Sequence, residues 1–349
     1  MAGRIIALPG KARGRQHRSV GATHIEQADA LDCYGHWPAP TMIHVDGPYG
    51  LGGVPGDPMS YDQLPEAYYH HIAAWSKAAK PSTTLWFWGT ELGWATVHPL
   101  LDQAGWDYQE LNVWNKGLSH VAGNVNSKTI RGVPVVTEVC ARYTKRVFLE
   151  AATGEKLPIK QWVRCEWERS GVPLYRANEA CGVKNAATRK YLTKDGLWYF
   201  PPAEMMTSMA RYLAEHGRKT ERPYFSLDGM SPLTAEQWLS LRSKWHHEHG
   251  VTNVWSVPPL HGKERKRVEG SGKALHLNQK PLRIIEFLIR STTDPGDVVW
   301  DPFAGLASVG ASSNALQRSC YCAEINADVY RHAVKRLESD QGETSCMTM

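Results

Sequence analysis

No apolar run in this 349-residue chain approaches the roughly 18 residues of a membrane-spanning helix, and no apolar segment precedes a small-residue cleavage site. A soluble, unsecreted, cytoplasmic chain without membrane contact is therefore expected. Cysteine is scarce and odd in number: seven are scattered along the chain, which argues for free thiols in a reducing compartment. No second cysteine pair joins Cys320 and Cys322 to complete a zinc site, and their alternation suits packing on a buried strand. His70-His71 and His246-His247 with His249 lack the carboxylate or cysteine company of a metal site; they read as solvated or capping, and no metal is expected. Acids are absent from residues 1–20, which carry Arg4, Lys11, Arg13, Arg15 and Arg18. That stretch reads as a basic arm, either touching phosphate or merely solvated.

What is present is globular in character: 42% hydrophobic and 21% charged residues, with enough length for about two domains. Two stretches organise it. Met42-Ile43-His44-Val45 is a short apolar run that stops on Asp46-Gly47-Pro48-Tyr49, where Gly47 and Pro48 turn the backbone and Asp46 and Tyr49 project. The same residues also fit an ordinary strand-to-loop junction. Far along the chain, Val298-Val299-Trp300 ends on Asp301-Pro302-Phe303-Ala304-Gly305, followed by small residues that can open a helix. A strand, a glycine turn and a helix start form a usual cofactor cradle. The next strand, Tyr321-Cys322-Ala323, ends on Glu324, about 20 residues beyond the turn, where a ribose diol would be bound.

Together, Asp46-Gly-Pro-Tyr49 and Asp301-Pro-Phe-Ala-Gly305 resemble the permuted motif pair of β-class S-adenosylmethionine-dependent DNA amino-methyltransferases. Gln27-Ala28-Asp29-Ala30-Leu31, Val113-Trp114-Asn115-Lys116, Thr137-Glu138-Val139 to Tyr143-Thr144-Lys145 and His276-Leu-Asn-Gln-Lys-Pro281 match in the same order. The resemblance spans roughly residues 20–150 and 250–338 and implies methyl transfer from S-adenosylmethionine to an exocyclic base amine of double-stranded DNA. It implies Asp46, Gly47, Pro48 and Tyr49 as the catalytic loop, and Asp29, Asn278, Gln279, Lys280, Pro281, Asp301, Phe303, Gly305 and Glu324 as the cofactor site. Asp in the first loop position favours adenine N6, with cytosine N4 as the alternative. A cognate restriction endonuclease and a homodimer are further expectations from the family, although no self-complementary apolar stripe stands out. No Pro-Cys nucleophile of the cytosine C5 enzymes is present. The chain departs from the family at Gly47, where Pro is usual, and at Leu306-Ala307-Ser308-Val309, where Ser-Gly-Thr-Thr is usual. The readings that compete are a DNA-binding protein with impaired catalysis and a methyltransferase acting on RNA or a small molecule.

Strand and helix patterns alternate, as in a doubly wound, mostly parallel, Rossmann-like sheet. Helices are expected at Leu64 to Lys80, at Leu92 to Ala104 despite Pro99, and at Pro281 to Thr293; strands at Thr83 to Gly89 and Tyr108 to Asn115. The β-rich Val133 to Phe148 suits an antiparallel edge. Residues 21–150 are thus read as the catalytic half, 151–275 as an inserted, largely helical target-recognition region, 276–338 as the cofactor half and 339–349 as a tail. Ala151 to Leu275 holds 20 Lys and Arg against 13 Asp and Glu, an excess of seven that leaves the rest of a +5 chain slightly acidic. Such a segment suits a DNA footprint or a solvated basic face. Within it, residues 172–193 read as a helix-turn-helix about Gly182, presenting Lys184, Asn185, Thr188 and Arg189 to a groove, or as a plain helical hairpin. Lys263 and Arg265 belong to a basic run placed on phosphate or in solvent.

Overall fold

The computed structural model describes residues 16–52, 56–118, 129, 131–194, 198–260, 265 and 279–346; Arg4, Lys11, Arg13, Arg15, Lys263 and Asn278 lie outside them. The strands are β1 (Gln16–Val20), β2 (Thr23–Gln27), β3 (Met42–Val45), β4 (Thr84–Gly89), β5 (Trp106–Asn115), β6 (Thr137–Lys145), β7 (Phe148–Glu150), β8 (Lys156–Pro158), β9 (Val254–Ser256), β10 (Val298–Asp301) and β11 (Ser319–Ala323). The α-helices are α1 (Leu64–Ala78), α2 (Glu91–Gln103), α3 (Ile159–Arg169), α4 (Ala177–Ala180), α5 (Ala187–Tyr191), α6 (Ala203–His216), α7 (Ala235–Ser240), α8 (Leu282–Thr292), α9 (Ser308–Ala315) and α10 (Ala327–Cys346). Nine strands form one sheet in the order β1-β2-β11-β10-β3-β4-β6-β5-β9.

Alternate side chains of the central strands feed two cores. Ile43, Val45, Leu85 and Phe87 pack with Tyr68, Ile72 and Trp75 of α1 and Leu101 of α2. Met42, Trp86 and Trp88 pack with Ile285, Leu288 and Ile289 of α8, Val309 of α9 and Leu337 of α10. Strands covered on both faces read as apolar runs, as β3 and β4 do. Cys320 and Cys322 are buried, free thiols in the second of these cores. The helix over Leu92 to Ala104 forms despite Pro99, which removes a single ladder bond while Val97 and Leu101 stay buried on either side of it.

Four expectations are corrected. The β-rich stretch is antiparallel, but β6 lies inside the sheet between β4 and β5, and β9 pairs parallel to β5 beyond it. Residues 254–256 thus return to the sheet within the stretch read as recognition region. The last five residues of the stretch read as a basic arm are not an arm: residues 16–20 form β1, antiparallel to β2, and Arg18 pairs with Glu338 at 2.7 Å. His71 is neither solvated nor capping but buried, its Nδ1 2.8 Å from the Tyr34 hydroxyl, and burial pushes its imidazole down to about 4.

The fourth concerns the helix-turn-helix. The turn at Gly182 exists, with φ 64°. The helices on either side have only four and five residues, and at about 1.5 Å per residue the second is too short to follow a groove. The Thr188 hydroxyl donates to the Leu174 carbonyl and its amide donates to Asn178 Oδ1, so it ties the two turns together rather than facing outward. The plain helical hairpin is what forms, with Lys184, Asn185 and Arg189 exposed on it.

A separate core unites this inserted region: Trp162, Trp167, Met206, Leu213, Phe225 and Trp238 are fully buried there. Trp238 also donates to the Pro201 carbonyl at 2.7 Å and stacks on Phe200. Trp238→Ala should cost about 3–5 kcal/mol locally. Hydrogen-exchange mass spectrometry should then show faster exchange in peptides from 159–241 and unchanged β3 and β10; unchanged exchange in the insertion would contradict this core.

Candidate active site

β3 and β10 are parallel neighbours, with Val299 opposite Met42 and Trp300 opposite Ile43. From β3 the chain continues to β4 on one side, and from β10 to β11 on the other. Their carboxyl ends form the sheet's topological switch point, the usual ligand crevice of an open α/β sheet. Asp46 leaves the end of β3 and Asp301 ends β10, so residues far apart in sequence line one cleft with His44, Gln279, Lys280, Phe303 and Gly305.

Asp46 sits at the centre of a charge network. Lys280 Nζ donates to both of its oxygens, at 2.7 and 2.9 Å, and lies 3.2 Å from Glu138 Oε2. Lys116 pairs with the other Glu138 oxygen. The Tyr49 hydroxyl lies 2.9 Å from Asp46 Oδ1 and 3.2 Å from Glu138 Oε2 and can donate to either. Lys280 Nζ also stands 5.2 Å from the Tyr49 ring centroid and 5.1 Å from that of Trp88. Burial pushes the Asp46 carboxyl up, but Lys280, His44 and the Lys280 and Tyr49 hydrogen bonds pull it down further, so it is held below the usual carboxylate range. Burial and the Asp46 charge together push the Tyr49 phenol well up, so it remains a neutral donor.

The loop that follows β3 is held by residues that carry no signal in the sequence. Asp57 accepts from the backbone amides of Tyr49, Gly50 and Leu51 at 2.8, 2.7 and 3.0 Å. Tyr68 of α1 donates to the Pro48 carbonyl at 2.9 Å. These bonds replace the rigidity that a proline at position 47 would give. Gly47 itself has a steric cause: a Cβ there would come 2.7 Å from the Tyr68 hydroxyl oxygen and 2.8 Å from the Phe303 ring. Glu138 and Lys116 lie within matched motifs, but their pairing with each other, and that of Glu138 with Lys280, depends on β6 lying inside the sheet.

In the glycine turn, Gly305 has φ 51° and Ala307 φ 53°. Ala307 therefore adopts a left-handed conformation that glycine takes freely and alanine at a cost of roughly 1–2 kcal/mol. Glu324 accepts from the Gly305 amide at 3.0 Å and the Asn326 amide at 2.7 Å; burial pushes its carboxyl up against the pull of those two amides. Phe303 is backed by the Tyr68 and His71 rings, with centroids at 6.1 and 5.1 Å. Pro281 is the N-cap of α8 and stays outside the cleft lining. Asp29 also stands apart from the lining, accepting from the Leu31 amide at 2.9 Å as a cap. Arg265 is half-buried.

A profile of the N6/N4 methyltransferases, described as DNA methylase, matches residues 41–335. The chain belongs to the N6/N4 DNA methylase family. This family comprises S-adenosylmethionine-dependent DNA amino-methyltransferases. Among similar proteins, the Type II methyltransferase M.HinfI of Haemophilus influenzae is 40% identical over 92 residues, 26% of this chain and 25% of that protein. The DNA adenine methyltransferase YhdJ of Escherichia coli K12 is 32% identical over 94 residues, 27% of this chain and 30% of that one. The Type II methyltransferase M.HindIII of Haemophilus influenzae is 27% identical over 177 residues, covering 51% and 50%. The chain thus aligns with a quarter to a half of the length of these relatives. The fold is shared with the cytosine-N4-specific PvuII DNA methyltransferase, at 13% identity and TM-score 0.50 over 92% of this chain and 90% of that one. Among the described residues no helix is long and apolar enough to cross a membrane, and no group of ligating side chains could hold a metal ion.

The cleft fits the family's methyl donor. Asp301 Oδ1 and His44 Nδ1 are buried, 3.6 Å apart, and neither makes a hydrogen bond. Burial pushes the Asp301 carboxyl up against the pull of His44. A buried, orphaned carboxylate oxygen suits a cationic group, and Phe303, Ile285, Leu306 and Val309 supply apolar walls. Gly47→Ala should push Phe303 and Tyr68 aside and lower stability by about 1–3 kcal/mol, read by chemical denaturation. A variant as stable as the wild type would contradict the close packing at this loop.

Proposed function

We propose that the protein transfers a methyl group from S-adenosylmethionine to the exocyclic amine of a base in double-stranded DNA, with adenine N6 as the target. The observation that carries this reading is the meeting of Asp46 with the orphaned Asp301 oxygen across one cleft at the switch point. When bound, S-adenosylmethionine supplies an electrophilic methyl group on a sulfonium. Asp301, Phe303, Gly305, Gln279 and Glu324 are the residues that would hold it; Asn278 joins them by the family resemblance.

The chemistry left to the protein is to make a poor nucleophile attack. The amine lone pair is delocalised into the base, and acceptors that draw on its hydrogens favour a pyramidal, more nucleophilic nitrogen. Asp46 is such an acceptor, kept anionic by Lys280, and the Gly47 carbonyl is the second in this reading. The base leaves the duplex at a cost of a few kcal/mol and is returned about 1–3 kcal/mol by stacking, with Tyr49 in that role. Since the Tyr49 ring is buried against Lys280, base entry has to part the two. Positioning, rather than a strong general base, supplies most of the acceleration.

Adenine is favoured by the aspartate at the first loop position and is the base in the name of one relative, YhdJ. The exposed Lys184, Asn185 and Arg189 of the helical hairpin are proposed to touch DNA phosphate, and a cognate endonuclease and a homodimer remain part of the same reading. Arg189→Ala should reduce the salt slope of DNA binding by about 0.9, and an unchanged slope would remove it from the interface. Radiolabelled transfer to unmethylated duplex DNA, followed by nucleoside mass spectrometry, should give N6-methyladenine that disappears in Asp46→Ala. N4-methylcytosine would move the target base, and no labelled nucleoside at all would overturn the reading.

A further inference from the structure

Lys280 enters the site by resemblance as a cofactor residue, yet its contacts are with the catalytic loop. Its side chain is 1% exposed, whereas those of Asp46 and Glu138 are 15% and 12% exposed, so the carboxylates can be reached from outside and the ammonium cannot. Two of its hydrogens face the two oxygens of Asp46, the acceptor positions that an incoming amine has to use. A third direction is served by Glu138 Oε2 at 3.2 Å, whose carboxylate is steadied from the other side by Lys116. Burying an ammonium this deeply is costly unless it is paired, and it is paired here with two anions, only one of which is the acceptor.

Resting on the proposed reaction, we propose that Lys280 is its positioning residue. Before base entry it holds both Asp46 oxygens in place. When the base enters, it yields Asp46 to the amine and turns to Glu138, staying as the counterion that keeps Asp46 ionised. No bond forms or breaks in this step; one hydrogen bond is exchanged for another. The trade is local, because both carboxylates lie within reach of the same ammonium, which stays against the Trp88 ring while the Tyr49 ring moves off to meet the base.

The groups facing Asp46 define what removal of the cation would do. They are His44 and Tyr49 from its own segment, Tyr68 from α1, Glu138 and Cys140 from β6, Asp301 from β10 and Lys280. Without Lys280, burial and the neighbouring anions favour the protonated carboxyl, which cannot accept both hydrogens, and only the weaker pull of His44 and the Tyr49 hydrogen bond opposes them. Since the lowered Asp46 group then rises, the variant should be inactive at low pH and recover as pH increases.

The test compares initial methylation rates of wild type, Lys280→Gln, Lys280→Arg and Glu138→Gln from about pH 5.5 to about pH 9, together with calorimetric binding of S-adenosylmethionine. Lys280→Gln should move the acid limb of kcat up by about one pH unit or more, while cofactor affinity changes less than about threefold. Lys280→Arg should restore the limb. Glu138→Gln, which takes the Glu138 charge away from the ammonium, should raise KM for DNA by about tenfold or more with cofactor affinity unchanged. A Lys280→Gln profile that keeps the wild-type shape, or a Glu138→Gln KM equal to wild type, would overturn the proposal. Transfer by the wild type with unaltered profiles overturns this role alone. A wild type without transfer overturns the proposed reaction, and this role with it.

Discussion

The parallel pairing of β3 with β10 is the constraint on which the rest of this structure depends. Each strand is short, apolar and ends on an aspartate, and the register of Val299 on Met42 brings both ends to the same edge of the sheet. Because the chain leaves these two strands in opposite directions, no crossover connection covers the gap between their ends. A crevice there is a consequence of topology and not of any single side chain. The family's permuted motif order is read through this pairing: the acceptor loop comes early in the chain, the glycine turn late, and the sheet makes them neighbours.

The second determinant is a buried positive charge. Asp46, Asp301 and the neutral Tyr49 and Tyr68 share a small volume in which desolvation opposes their ionised forms. Lys280 decides which of these groups stays charged. A buried ion pair adds little net stability, because desolvation cancels much of the attraction. Its presence is better explained by what it does to Asp46, which in the proposed reaction has to be an acceptor at neutral pH. Stability comes instead from the aromatic cores on both faces of the sheet, where Trp75, Trp86, Trp88, Trp106 and Trp300 are fully buried.

Much of this was legible in the sequence because local patterns and long-range geometry agreed. The strands ending on Asp46 and Asp301, the helix opened by Pro281 and the glycine turn are local features, and α8 begins one residue after that proline. Failures came where tertiary context overrode local pattern. An antiparallel strand looks the same in sequence at an edge or within a sheet, so the sequence does not reveal the position of β6, nor the pairing of Glu138 with Lys280 and Lys116 that follows from it. His71 resembled a surface histidine until Tyr34 supplied its partner. The hairpin around Gly182 had the glycine and the buried positions of a helix-turn-helix, but helix length depends on where Trp198 and Tyr199 fold back onto Tyr191 and Lys190. Gly47 illustrates the same point in reverse: the departure from the family's usual proline is matched by tight packing against Phe303 and Tyr68.

The central claim is that one crevice serves both reactants, with Asp301 answering the cofactor and Asp46 the amine. The most direct measurement is calorimetric binding of S-adenosylmethionine to wild type, Asp301→Asn and Asp46→Asn, since each change removes a charge and almost no volume. Loss of a charge-assisted contact should weaken binding to Asp301→Asn by about tenfold or more. Asp46→Asn should bind the cofactor nearly as the wild type does. Equal affinities for wild type and Asp301→Asn would contradict the account, because the orphaned oxygen in the crevice would then have no part in holding the methyl donor.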